Sequence, residues 1–284
     1  MNKTKTILMS ALVAVAMTAC DTDSKNERTF SFPMANYAAQ AGGEAAFSNS
    51  ATTTRIDYEN SLGEINYPTI SLPNMSSGSM KISGLKLSSL PKGEGLQLSG
   101  TGVTPVVNGA TSLGSANVTA YFKGYNGYYM NGYYMIDFAD GTSVTSFSIP
   151  LNYFSTTTVT SANQNPYTTN TADKNRYSVI INAEKKTANI DILAASFADK
   201  MPSMNMRFKD VKVLMNKNSV TLEADELIPV TYNSSNLEDP QPKYKITNLR
   251  AHGTPEHGMS LTFECAGTFH VTAALVDVYT NNQQ

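Results

Sequence analysis

An all-β protein built from two duplicated domains is predicted by three observations on this 284-residue chain. Apolar residues recur with a period of two, which lines one face of a strand. Turn-forming Gly, Ser, Asn and Pro clusters interrupt that alternation at short intervals. A block of residues occurs twice without a gap: Met75 to Leu87 and Met201 to Val213. Together they predict two antiparallel β-sandwich or small barrel domains behind an N-terminal export signal.

The duplication extends past that block. Met75/Met201, Met80/Met206, Lys81/Arg207, Ile82/Phe208, Leu85/Val211 and Leu87/Val213 keep their type at an offset of 126 (201 − 75). Leu96-Gln97-Leu98 matches Val220-Thr221-Leu222, and Pro105-Val106 matches Pro229-Val230, both at 124 (220 − 96; 229 − 105). Phe30-Ser31-Phe32-Pro33-Met34 resembles Phe147-Ser148-Ile149-Pro150-Leu151, and Ile136-Asp137-Phe138 resembles Leu261-Thr262-Phe263. The offset drifts where loop residues cluster, as insertion-tolerant connections allow. This divides the chain into a first copy, 29–146, and a second, 147–284. Val144 to Ile149 fits both the end of one copy and the start of the next, so the two domains are expected to abut.

The first element is the export signal. Lys3 and Lys5 precede the apolar run Ile7 to Met17, which is too short for a stable membrane span. It ends in Met17-Thr18-Ala19-Cys20. That ending resembles the lipobox of bacterial lipoproteins, with Met17 where leucine is usual. The resemblance implies a signal peptide over 1–19, lipidation of Cys20, and a membrane partner through that lipid anchor. Residues 20–28 then form a polar tether. Its acidic start, Asp21 and Asp23, resembles the surface-export signal of Bacteroidetes lipoproteins. The implied location is the cell envelope, at the outer membrane and its surface.

Strands follow. In the second copy Tyr177 to Asn182 and Thr187 to Leu193 flank the polar turn Ala183-Glu184-Lys185-Lys186 and read as a hairpin. Further strands are read over Met204–Leu214, Ser219–Ala224, Pro229–Tyr232, Tyr244–Leu249, Met259–Cys265 and Thr268–Tyr279. Phe197 to Pro202 is expected to make no more than one helical turn before Pro202 stops it. The Ser/Thr-rich stretch from Ser155 to Lys174 is expected as a mobile loop.

Composition narrows the function. Net charge is −2 and only 15% of residues are charged, so there is no basic excess to hold nucleic acid. With Cys20 lipidated, Cys265 has no partner for an internal disulfide and is expected as a buried thiol. His252, His257 and His270 show no metal-ligand spacing, and neither metal nor cofactor is expected. No Gly-x-Ser-x-Gly, His-Glu-x-x-His or phosphate loop occurs, which favours a non-enzyme.

The candidate site is an aromatic-rich strand of the first copy, Tyr128 to Phe138. Its alternation puts Tyr129, Asn131, Tyr133 and Asp137 on one face. Rings beside hydrogen-bonding groups suit a glycan, since rings stack on C–H faces while amide and carboxylate meet hydroxyls. The structural alternative is that outward tyrosines simply favour strands or meet the other domain. In composition and strand rhythm each unit resembles the calycin-like barrels and other β-rich lipoproteins of the Bacteroidetes. A lipid-anchored, non-catalytic envelope protein that binds a glycan or another envelope protein is the leading reading. A fimbrillin-like pilus subunit and an envelope hydrolase with paired carboxylates are the alternatives.

Overall fold

The computed structural model describes residues 26–73, 75–110, 113–125, 128–162, 164–170, 175–197, 201–233, 235 and 237–277, without the side chains of 76, 125, 128–130, 164 and 170. The expected signal peptide, 1–19, and Cys20 lie outside these residues. The sandwich-or-barrel alternative resolves as two closed barrels of eight strands each.

The first barrel is a meander of β1 (Glu27–Gln40), β2 (Ala46–Asp57), β3 (Leu62–Leu72), β4 (Met75–Ser89), β5 (Gly95–Val103), β7 (Ala116–Tyr125), β8 (Tyr128–Phe138) and β9 (Thr142–Ser148). A short β6 (Val106–Val107) pairs with β4 outside the ring. Pairing of β1 with β9, from Met34↔Ser148 to Gln40↔Thr142, closes it. The second barrel runs β10 (Leu151–Ser161), β12 (Arg176–Asn182), β13 (Thr187–Ala195), β14 (Met204–Asn216), β15 (Ser219–Leu227), β18 (Ile246–Thr254), β19 (Gly258–Cys265) and β20 (Phe269–Val276). Here β10 and β20 close the ring, from Phe154↔Val276 to Thr160↔His270. Three short strands are added: β11 (Gln164–Asn170) on β10, and β16 (Val230–Tyr232) then β17 (Glu238–Pro240) outside β14. Closure leaves the main strands without free edges.

Alternation builds each core. Along β12, Tyr177, Val179 and Ile181 are buried while the residues between them are half-buried. In the first barrel Phe122 lies 5.7 Å from both Phe30 and Tyr134. In the second, Phe263 takes Phe197 and Phe208 edge-on, each at 5.3 Å. Edge-on rings set the positive rim of one against the negative face of the next.

The repeat read from sequence is also a repeat of ladder register. Ile65↔Ile82 in the first barrel has its counterpart in Ile190↔Phe208 in the second. Leu87↔Leu98 corresponds to Val213↔Leu222, and Lys81↔Val106 to Arg207↔Val230. At these three places the duplicated block keeps the same ladder partner in both copies.

Three segments differ from expectation. β1 begins at Glu27, inside the expected tether, because Glu27 and Arg28 pair with Asp57 and Ile56. Val144 to Ser148 belongs to β9, whereas Leu151 opens β10. Most of Ser155–Lys174, expected as a loop, is the β10–β11 hairpin, in which Thr158 and Thr168 face each other with hydroxyls 3.3 Å apart. β-branched threonine fits a pleated surface as well as a loop, which is why the composition misled. Compact units follow the barrels with one exchange: Lys123–Asn131, at the β7–β8 turn, groups with Ile149 onward, and Gly132–Ser148 with the first unit.

Candidate functional site

A polar stretch of wall lies inside the first barrel. A row of inward side chains crosses four neighbouring strands: Ser48 on β2, Asn36 on β1, Ser146 on β9 and Tyr134 on β8. Register sets the row through Ser48↔Asn36, Asn36↔Ser146 and Ser146↔Tyr134. All four are buried. Along β2 the same face continues through Ser50, Thr52 and Thr54, opposite Met34, Phe32 and Phe30.

Hydrogen bonds confirm that this face points inward. Thr54 Oγ1 and the Tyr134 hydroxyl are 3.0 Å apart, although β1 and β9 separate β2 from β8 in the wall. The Tyr67 hydroxyl of β3 reaches Ser146 Oγ of β9 at 3.1 Å. Burial pushes both phenols well above their ordinary range. They stay neutral and serve as donors and acceptors, not as bases. The partners in these two bonds are hydroxyls, Thr54 Oγ1 and Ser146 Oγ.

The wall ends at a seam. Pairing of β2 with β3 runs from Asp57↔Leu62 to Thr53↔Asn66 and stops there. Two residues on is Pro68, which has no N–H for a ladder. The β3–β4 register also shifts between Tyr67 and Ile70 and again before Leu72. Beyond the stop a side chain stands in for the ladder: Ser71 N donates to Ser48 Oγ at 3.3 Å. Beside it Asn36 Nδ2 donates to Ser50 Oγ at 2.9 Å and to Ser48 Oγ at 3.4 Å. Asn36 Oδ1 accepts nothing, although the residue is 1% exposed. An unsatisfied buried acceptor costs about 1–3 kcal/mol.

The second barrel treats the equivalent place differently. There β11 and β12 take the place of β2, and Asn175 precedes β12 with φ 54°. Its Nδ2 donates to Thr169 Oγ1 at 2.6 Å and to Ser196 O at 3.3 Å, and its Oδ1 accepts from Ser196 N at 3.0 Å. Both ends of that amide are used. At the seam of the first barrel the copies diverge, and an enclosed acceptor has no hydrogen-bond partner.

The sequence-derived candidates are placed otherwise. Tyr133 is 0% exposed, with its ring edge-on to Phe147 at 6.0 Å, so it offers no stacking platform. Asn131 is equally buried within the second unit. Its Nδ2 donates to Asn152 O at 2.8 Å and to Asp277 Oδ1, while its Oδ1 accepts from Asn152 N at 2.7 Å. Lys123 Nζ completes this cluster, 3.4 Å from Asp277 Oδ2 and donating to Glu256 O at 3.1 Å. Asp137 is half-buried on β8. The Tyr129 side chain lies outside the described residues. The proposed face is therefore divided, with Asn131 and Tyr133 spent on packing and internal bonds.

Sequence reading passed over Asn36, Ser48 and Ser50. On β2 the outward residues Asn49, Ala51, Thr53 and Arg55 are nearly as polar as the inward ones, so alternation carries no contrast. Hydroxyls every second residue, Ser48-x-Ser50-x-Thr52-x-Thr54, were the available signal.

A charge cluster lies on the second barrel. Arg207 Nε and Nη2 hold Asp191 at 2.6 and 2.7 Å, Nη1 reaches Glu238 at 3.1 Å, and the guanidinium lies 4.7 Å over the Tyr232 ring. The bonds to Asp191 push the Arg207 pKa further up. This network pins β16 and β17 to the barrel wall. Among the described residues no group of three or more His, Cys, Asp or Glu could hold a metal ion.

No protein-family model matches the chain, and no curated protein matches it. Among solved structures, a double mutant of Transferrin Binding Protein B from Haemophilus parasuis Hp5 matches 89% of this chain and 76% of its own, at 8% identity and a TM-score of 0.25. Intact Ap-TbpB, with N and C lobes, matches 87% and 76% at 7% identity and the same TM-score of 0.25.

Proposed function

We propose that this chain is a lipid-anchored, non-catalytic binding protein of the cell envelope, which takes a small polyhydroxylated ligand, such as the end of a glycan, at the polar seam of its first barrel. The observation that carries the reading is the buried, unpartnered acceptor Asn36 Oδ1 beside Ser48 and Ser50. A ligand hydroxyl donating to that oxygen would repay its lost hydration, and the neighbouring serines offer both donor and acceptor capacity. Aliphatic and aromatic residues of the same interior suit the C–H faces of a sugar. The anchor rests on Cys20 behind its apolar run.

A glycan panel tests the site. Binding should fall roughly tenfold in Asn36→Ala, the equivalent of about 1.4 kcal/mol, with the circular dichroism of the folded protein retained. Absence of binding by the parent protein to every glycan, or full binding by Asn36→Ala, would sink the proposal. Incorporation of labelled palmitate, and its loss in Cys20→Ser, tests the anchor.

A further inference from the structure

We infer that the tether end of the first barrel, around Tyr58 and Leu62, rests on the same bilayer that holds Cys20; this depends on the lipid anchor proposed above. The chain enters the barrel at this end. Asn26 O accepts from Tyr58 N at 2.8 Å, and Asn26 Nδ2 donates to Glu59 Oε2 at 3.1 Å. Tyr58 thus lies against the point where the tether meets the fold. It is 40% exposed, and Leu62, across the same turn and paired with Asp57, is 42% exposed. Lys86 lies opposite Leu62 and is exposed.

Tether length restricts what can meet this face. Seven residue steps separate Cys20 from Glu27, a reach of roughly 25 Å at full extension. β1 carries 14 residues from that end to the turn at 41–45, roughly 45 Å at ~3.3 Å per residue. A lipid on Cys20 therefore keeps Tyr58 and Leu62 near the headgroups and allows the 41–45 turn to stand away from them. Scattered exposed apolar residues are ordinary on soluble proteins. Here their position matters: a tyrosine with an apolar ring and a polar tip suits the membrane–water interface, and a leucine beside it adds apolar area. Tethering raises the local concentration of lipid, so a small apolar face is enough. Charges on this end are mixed (Glu27, Arg28, Asp57, Glu59 and Lys86), so the occupant is a zwitterionic headgroup layer, with no selectivity for anionic lipid.

The test uses the lipidated full-length protein in phosphatidylcholine vesicles containing brominated lipid. One fluorophore is placed by Ser89→Cys, at the tether end, and another by Glu44→Cys, in the opposite turn; buried Cys265 stays unlabelled. Quenching should be strong at residue 89 and absent at 44. It should fall at least about twofold at 89 in Tyr58→Ser with Leu62→Ser, and should hardly change with salt. Equal quenching at both positions, none at either, or no effect of the double substitution would overturn the docking. Palmitate on Cys20 with both probes unquenched would remove the docking alone. Absence of palmitate would remove anchor and docking together.

Discussion

Asn131 offers its side-chain amide to the main chain of Asn152, donating to the carbonyl at 2.8 Å and accepting from the N–H at 2.7 Å. The pair imitates a strand partner at the start of β10, with Asp277 and Lys123 completing the set. Asn131→Ala would remove both bonds to the half-buried main chain of Asn152 and one to the buried carboxylate of Asp277. A loss of about 2–3 kcal/mol is expected in urea unfolding. Asn131→Asp should cost at least as much, since it places a second carboxylate against Asp277.

Arg207 and Lys81 occupy matching places in the two copies, yet their expected weights differ. Asp191, the partner of Arg207, is 2% exposed, whereas Lys81 pairs with Glu64 at the surface. Arg207→Ala would strand a buried carboxylate and should cost about 3–5 kcal/mol. Lys81→Ala should cost about 0–1 kcal/mol. Arg207→Lys should fall between them, because an ammonium cannot make both bonds of the guanidinium fork. Denaturation of the three variants under one condition checks the order.

Gly258 and Gly141 both have positive φ, 73° and 86°. A Cβ on Gly258 would collide with the backbone carbonyl oxygen of Leu275, whereas one on Gly141 meets nothing. Gly141→Ala should cost about 1 kcal/mol for backbone strain alone. Gly258→Ala should cost several times that, because β20 must move to admit the methyl. Thermal melts of the two variants would distinguish these costs.

Cys265 provides a test by pH. Burial pushes its thiol up to about 12, with Tyr244 O as acceptor at 3.8 Å. In the unfolded chain a thiol ionises near ~8.5. The folded state thus keeps a proton that the unfolded state releases. This stabilising contribution is complete below ~8.5 and is lost as pH rises toward about 12, with a slope of up to about 1.4 kcal/mol per pH unit. Between pH ~8.5 and ~10 Cys265→Ala should show a flatter decline than the parent, since both share the same ionising tyrosines, with both on a Cys20→Ser background. Iodoacetamide should label Cys265 only after denaturation.

The class, the duplication and much of the register can be read along the chain. Period-two alternation is local and survives in any sheet, so strands such as Arg176–Asn182 and Thr187–Ala195 were legible. The block Met75–Leu87 matched Met201–Val213, and the structure pairs their equivalents alike, down to Lys81↔Val106 and Arg207↔Val230. Tertiary structure alone decided closure and the site. Closure joins Met34 to Ser148 and Phe154 to Val276, contacts between residues more than a hundred apart that no local pattern encodes. The polar row of Ser48, Asn36, Ser146 and Tyr134 is assembled from four strands; Tyr134, Ile136 and Phe138 read as a core stripe on β8, but β2 carries polar residues on both faces, so only register reveals which of its sides is enclosed. Asn131 looked like an outward ligand group for the same reason. Alternation assigns residues to faces, and only packing decides which face becomes interior.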